Sequence, residues 1–283
     1  MKKTVLALAA VSARILPLPF KRQIYRIQPL ARLVRGLLNR AAPSGLTEIV
    51  ISGGDLRGWR MALDLQAEKD YWLGTYEPEL QAAIRRWVRP GWTVYDAGAN
   101  VGYISLLLAR AVGSEGRVFA FEALPANQER WRRNAALNPQ GGALRLIPAA
   151  VADKTGSARF LVGPSDDTGK AAGSAGRALE YAESVEVPAV SLDDFVYAQG
   201  NPPPDLVKMD IEGGEVLALP GMARLLREAR PLLFLELHGP ESARAAWDAL
   251  AAAGYTLHRM APGYPRIPSL TELDWKAYVV GKG

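Results

Sequence analysis

A chain of 283 residues with 49% hydrophobic content can bury a full α/β core, and the absence of cysteine excludes disulfides, thiolate metal sites and a cysteine nucleophile. The net charge of +5 is unevenly spread, because nine Lys and Arg and no carboxylate fall in the first 47 residues, which leaves −4 for the remainder. The body is therefore mildly acidic, and a nucleic-acid partner, which favours positive charge around the active-site mouth, is not expected.

Residues 1–45 read as a basic N-terminal arm. Its first thirteen residues pair two lysines with a short apolar run, a superficial likeness to a secretory signal that is too short to span a bilayer. Residues 21–40 set basic side chains between Ile24, Ile27, Leu30, Leu33, Val34, Leu37 and Leu38 at helical spacing. Such a helix suits an anionic membrane surface, the body of the protein, or a second subunit in a homo-oligomer. The expected location is cytoplasmic, with peripheral contact at the inner face of the membrane as one use of the arm.

Residues 46–90 form an N-terminal cap. A hairpin-like segment covers 48–66 around Gly53-Gly54, and an amphipathic helix from Glu79 to Val88 is stopped by Pro90-Gly91. From residue 91 to 283 strands and helices alternate. Strands are expected at Thr93–Ala97 and Arg117–Glu122 around a helix from Tyr103 to Ala111. A helix opening at Pro125 runs to about Leu137, with proline at a position where its missing N–H costs nothing. Further strands follow at Leu144–Val151, Leu206–Asp210 and Leu232–Leu237, then near Tyr255–Arg259 and Lys276–Val280. Such alternation predicts one doubly wound, Rossmann-like α/β domain. Gly163–Ser184, rich in Gly, Ser, Asp and Ala, reads as a mobile surface insertion, with a lid as the functional alternative.

The stretch Val94-Tyr-Asp96-Ala-Gly98-Ala-Asn100-Val-Gly102 carries the chemistry. It reads as a strand ending in an acid, a glycine-rich turn and the start of a helix, a junction that turns backbone amides and the positive end of a helix toward a ligand. Glu122, ending the next strand, lies about 20 residues past the turn, where a carboxylate meets the hydroxyls of a ribose. A dinucleotide fingerprint would need glycine at 100 and 103, where Asn100 and Tyr103 stand, and Asp96 would repel a pyrophosphate. No Gly-Lys-Ser/Thr follows, so a P-loop is absent. A ligand with a ribose, an ammonium group and no phosphate fits, and S-adenosyl-L-methionine meets all three conditions. A nicotinamide oxidoreductase and a non-catalytic cofactor-binding or membrane-associated protein are the alternatives.

Asp96-Ala-Gly98-Ala-Asn100-Val-Gly102-Tyr103 resembles the cofactor loop of class I S-adenosylmethionine-dependent methyltransferases, and its wording resembles the FkbM family. The resemblance extends through Gly74-Thr-Tyr76-Glu77-Pro78-Glu79, Phe121-Glu122-Ala-Leu-Pro125, Ser191-Leu-Asp-Asp194, Lys208-Met-Asp210-Ile-Glu212-Gly213-Gly-Glu215 and Leu235-Glu236-Leu-His238, so it covers roughly residues 70 to 280. It implies a seven-stranded, mostly parallel sheet with the last strand antiparallel, and O-methylation of a hydroxyl on a sugar, glycolipid or natural product. On this reading Asp96 and Gly98 flank the methionine part of the cofactor, with Ala99, Asn100 and Gly102 completing the turn. Glu122 takes the ribose, the adenine lies near Val151 and Asp153, and Glu77 belongs to the cofactor set.

Ligands of open α/β sheets bind beyond the carboxyl ends of the strands, and Asp96, Glu122, Asp210, Glu212, Glu236 and His238 all sit there. Asp210, Glu212 and His238 are the candidate catalytic groups. His238 suits a general base because an imidazole ordinarily titrates near neutrality. Asp210, Glu212, Glu236 and His238 also make an oxygen-rich set that a Mg²⁺ would accept, but transfer without a metal is the expectation. Glu215 reads as a helix cap, and Ser191 with Asp194 as a capping box.

Overall fold

Strand formation begins where the sequence alternates: Leu46–Val50 (β1) and Arg60–Asp64 (β2) pair antiparallel, Leu46 opposite Asp64 and Val50 opposite Arg60. This is a computed structural model, and it describes residues 36, 40–138, 143–163, 169–175, 183–275 and 278–283. The helix expected over 21–40 and nearly all of the N-terminal arm lie outside the described residues. The chain divides into two compact units, one within residues 1–81 with 133–139 and one of 82–132 with 140–283.

In the first unit the outer side of β2 is hydrogen-bonded by two asparagines one helical turn apart. Asn134 Oδ1 accepts the Ala62 N–H at 2.7 Å, while Asn138 accepts the Arg60 N–H at 2.9 Å and donates back to its carbonyl at 2.7 Å. The side-chain amides thus stand in for a third strand and satisfy backbone groups that burial would otherwise strand. A short helix, Lys69–Leu73 (α1), follows and ends on Gly74.

Pro78–Trp87 (α2) leads to the elements of the second unit. These are Thr93–Ala97 (β3), Tyr103–Val112 (α3), Arg117–Phe121 (β4), Pro125–Ala136 (α4) and Ala143–Ile147 (β5). Four strands of a second sheet come next: Ala150–Val151 (β6), Gly156–Val162 (β7), Lys170–Ala171 (β8) and Glu183–Val190 (β9). A five-residue π-helix, Asp194–Ala198, precedes Leu206–Met209 (β10), Glu215–Ala218 (α5), Ala223–Glu228 (α6), Leu232–Leu235 (β11), Pro240–Ala252 (α7), Thr256–Arg259 (β12) and Val279–Lys282 (β13).

The main sheet has the order β12-β13-β11-β10-β3-β4-β5, and β13 runs antiparallel to both neighbours while the other pairs are parallel. This is the doubly wound architecture with its antiparallel last strand. Leu206-Val-Lys-Met and Val94-Tyr-Asp-Ala are buried along their whole length, as strands covered on both faces must be. Helix α3 is apolar nearly all round, with eight of its ten residues buried. Winding reverses between β3 and β10, so the crevice of the sheet opens above these two strands.

Two sequence expectations change. The single strand expected at Leu144–Val151 breaks at Pro148, which has no N–H to continue a ladder, and its end becomes β6, paired to β9 in the second sheet. The insertion expected over 163–184 is anchored in part: Phe160 and Leu161 of β7 pair with Ala171 and Lys170 of β8, and the Ala175 N–H donates to the Gly213 carbonyl at 2.9 Å. Its residues 164–168 and 176–182 lie outside the described residues.

The asparagine ladder gives a direct check. Asn134→Ala leaves the buried Ala62 N–H without its acceptor, a loss of about 1–3 kcal/mol. A lowered thermal midpoint in calorimetry is the expected outcome, and an unchanged midpoint contradicts the assignment.

Candidate active site

The crevice is built from loops at the carboxyl ends of β3, β4, β10 and β11. At the end of β3 the chain must turn sharply, and Gly98 (φ 78°), Asn100 (φ 48°) and Gly102 (φ 95°) all take the left-handed conformation. A Cβ added at Gly98 would collide with the backbone oxygen of Asp210, and one at Gly102 would lie 2.9 Å from the Trp131 ring. Glycine is required at both positions by contacts within the protein, whatever binds above.

The amides of this turn are spent on protein acceptors. Gly98 and Ala99 both donate to the Phe121 carbonyl at 3.0 Å, Gly102 donates to Ala99 at 2.9 Å, and Asn100 donates to Glu122 Oε2 at 2.8 Å. A pyrophosphate needs such amides free, so the turn does not suit a dinucleotide. Glu122 also accepts the Leu124 N–H at 2.9 Å through Oε1 and is 7% exposed. Burial pushes its pKa up, against the lowering effect of the Leu124 and Asn100 N–H groups. With the Asn127 side chain as a third donor, the carboxylate is fixed at the end of β4 before any ligand arrives.

Asp96 is sealed in the interior at 0% exposure rather than facing the crevice. Its Oδ2 accepts from Ser105 Oγ at 2.6 Å, Ser105 in turn accepts from the Trp131 indole at 2.9 Å, and Oδ1 lies 3.3 Å from Lys208 Nζ. The contact expected between Asp96 and the methionine part of the cofactor is replaced by this internal ion pair. Ala99 is buried at 3%, Val151 is buried within the apolar core, and Asp153 is exposed. Glu77 lies in the first unit with φ 43°, where its carbonyl accepts the Gln81 N–H.

The groups after β10 and β11 converge on His238. Its Nε2 lies 3.7 Å from Asp210 Oδ1, 3.6 Å from Glu212 Oε2 and 3.9 Å from Glu236 Oε1. Its Nδ1 lies 3.3 Å from Glu215 Oε1. Glu215, expected to cap a helix, instead turns inward at 0% exposure and also accepts from Ser242 Oγ at 2.9 Å. Burial alone would lower the pKa of His238, but the hydrogen bond and charge of Glu215, then the charges of Asp210 and Glu212, outweigh it and raise the value to about 9. The imidazole expected near its ordinary value is therefore an imidazolium at neutral pH. Asp210, Glu236 and His238 present three donor atoms within 4.8 Å of one another, a spacing a divalent cation would accept, and the imidazolium supplies positive charge there. Asp210 is further held by the Tyr278 hydroxyl, which donates to Oδ2 at 3.2 Å.

Ser105 and Tyr278 escaped the sequence reading, which had Glu215 only as a helix cap and Lys208 only as part of the Lys208-Met-Asp210 motif. Lys208 stands two residues before Asp210, and its register opposite Asp96 of β3 completes the ion pair. Elsewhere Ser191 Oγ accepts the Asp194 N–H at 3.1 Å, as a capping box requires, whereas Asp194 turns to Thr155 rather than back to the Ser191 amide.

The turn leaves none of the amides of Gly98, Ala99, Asn100 and Gly102 free for a phosphate, and the sheet that carries it is that of the class I methyltransferases, whose methyl donor is S-adenosylmethionine. The methyltransferase FkbM domain is matched over residues 96–257, more than half of the chain, and the chain belongs to that family. It is similar to the hexuronic acid methyltransferase AglP of Haloferax volcanii, 25% identical over 145 residues that cover 51% of this chain and 55% of the relative. Among solved structures it is similar to methyltransferase FkbM of Methylobacillus flagellatus, with 16% identity, a TM-score of 0.43, and coverage of 77% of this chain and 53% of the other. It is also similar to Aeropyrum pernix fibrillarin with natively bound S-adenosyl-L-methionine, with 10% identity, a TM-score of 0.42, and coverage of 72% and 73%. The chain spans about half the length of AglP and of the Methylobacillus protein. The family assignment rests on the domain match. Among the described residues no helix is long and apolar enough to cross a membrane.

The two histidines, His238 and His258, make the electrostatics measurable by proton NMR. His238 is expected to titrate near 9, and Glu215→Gln to bring it down by about one unit or more. A folded-state pKa above the ordinary 6.5 means that the associated stability is fully present below 6.5 and is lost as pH rises through about 9. A value near 6.5 in the wild type would contradict the geometry.

Proposed function

We propose that the protein methylates a hydroxyl of a sugar-like acceptor with S-adenosylmethionine as donor. The observation that carries this reading is the gathering of Asp210, Glu212, Glu236 and His238 at the carboxyl ends of β10 and β11, beside the cofactor turn. A polyhydroxylated acceptor is recognised by carboxylates that accept from its hydroxyls. The bound cofactor supplies an electrophilic methyl group on a positively charged sulfur. The chain's own residues must hold the acceptor oxygen in line with it and exclude water.

The AglP relationship supports a hexuronic acid or a related sugar as the acceptor class. Such a molecule offers both ring hydroxyls and a carboxylate, and the charge of the site favours the hydroxyls. Asp210, Glu212, Glu215 and Glu236 outnumber the cations His238 and Lys208, so the carboxylate of such an acceptor would be turned away from them and a ring hydroxyl presented instead. Asp210 and Glu212 orient the acceptor, and His238 takes the hydroxyl proton as the carbon–oxygen bond forms and the methyl carbon–sulfur bond breaks, with neutral S-adenosylhomocysteine as the leaving group. Because its pKa is raised to about 9, the fraction of neutral imidazole grows as pH rises toward that value.

The test is incubation with S-adenosylmethionine and a panel of neutral hexoses and hexuronic acids, followed by mass spectrometry for the added CH₂. An alkali-stable product, a methyl ether, is expected. An alkali-labile methyl ester would replace the hydroxyl reading with carboxyl methylation. On the productive acceptor, kcat is expected to rise with pH up to about 9 in the wild type. His238→Asn is expected to remove that rise and lower kcat by about 10²–10⁴-fold.

A further inference from the structure

Lys208 takes no part in the proton transfer proposed above, yet it is a cation almost completely withdrawn from water near the crevice. It sits on β10 between Val207 and Met209 with 1% exposure. Its ammonium lies 3.3 Å from Asp96 Oδ1 and 3.8 Å from Asp210 Oδ2, and it donates to the Gly98 carbonyl at 3.1 Å and the Ala97 carbonyl at 3.5 Å. Burial works against its charge, but the charges of Asp96 and Asp210 outweigh that, so its pKa is raised and the group stays cationic.

Stability alone does not explain this arrangement. A buried ion pair is often matched or bettered by apolar side chains of similar volume, because both charges must first be stripped of water. What apolar residues could not do is bond at once to the cofactor turn and to the acceptor side. The Gly98 carbonyl belongs to the turn, and Asp210 follows directly after β10. The Asp210 N–H donates to Ala97, and its carbonyl occupies the space a Gly98 Cβ would need. Four polar groups, two from the end of β3, one from the cofactor turn and one just after β10, therefore share one ammonium.

We propose that Lys208 is a positioning residue that fixes the cofactor turn, through the Gly98 carbonyl, relative to the Asp210 carboxylate. The inference rests on the reading of Asp210 as an acceptor-side group. The competing explanation is that Lys208 only neutralises buried Asp96.

The two are separated by comparing Asp96→Asn with Asp96→Asn/Lys208→Met in the full chain, so that any share of Asp96 itself cancels. Affinity for S-adenosylhomocysteine is measured by titration calorimetry and stability by thermal unfolding, with the wild type as reference. Removing a buried ammonium whose main partner is already neutral should raise the melting temperature of the double variant above that of Asp96→Asn. Its affinity for S-adenosylhomocysteine should nevertheless fall by about tenfold or more, the share of charge-assisted hydrogen bonds lost from the turn. Opposite movements of stability and affinity are what a purely structural role cannot give. If both quantities move together, if the double variant binds within about threefold of Asp96→Asn, or if it does not fold, Lys208 serves the fold alone and the proposal is overturned. A wild type that binds no S-adenosylhomocysteine would instead refute the cofactor assignment, and the proposal with it.

Discussion

The backbone of Gly98 lies against the backbone of Asp210 with no room between them for a Cβ. This contact at the reversal of winding joins the strand that ends in the cofactor turn to the strand that ends in the acidic loop. Everything else at the site is arranged around it. Gly98 takes a positive φ so that the turn can approach, Lys208 bonds to the Gly98 carbonyl from beneath, and Asp210 emerges from β10 already fixed by Ala97. A substituent of even one carbon would force the two strands apart and separate the two halves of the site.

Charge is organised by the same geometry. Asp96, Lys208, Asp210, His238 and Glu215 follow one another with alternating sign from β3 across β10 to β11. The inner members are buried and bonded to backbone or hydroxyl partners, so their positions are set before any ligand arrives. The outer members, Glu212 and Glu236, are more exposed and leave the crevice acidic. Negative charge of this kind at the crevice favours a positively charged group such as a sulfonium over a phosphate.

The turn was legible in the sequence because its requirements are local: an apolar strand, an acid, glycines at fixed offsets and an apolar helix. The strands of the main sheet were legible for the same reason, since Leu206-Val-Lys-Met and Leu232-Leu-Phe-Leu are short apolar runs bounded by turn residues. The role of Asp96 was not, because it depends on which strand becomes its neighbour, and Lys208 comes from far along the chain. Glu215 misled because a glutamate opening a helix has the signature of a cap, and only the arrival of His238 and Ser242 shows why it turns inward. Of the second sheet, β6 and β8 have two residues each, too few for a periodicity to register, and the pattern of β9 is broken by Pro188. The raised pKa of His238 likewise comes from carboxylates on separate loops, which no local pattern reveals.

The central claim is that Glu122, held by the Asn100 and Leu124 amides, receives the ribose of a phosphate-free nucleoside cofactor. Its most direct test is calorimetric titration of the wild type and Glu122→Ala with S-adenosylhomocysteine and, separately, with NAD. The expected result is micromolar binding of S-adenosylhomocysteine alone, weakened by about tenfold or more in the variant. Binding of NAD in its place, or S-adenosylhomocysteine affinity indifferent to the loss of Glu122, would contradict the account.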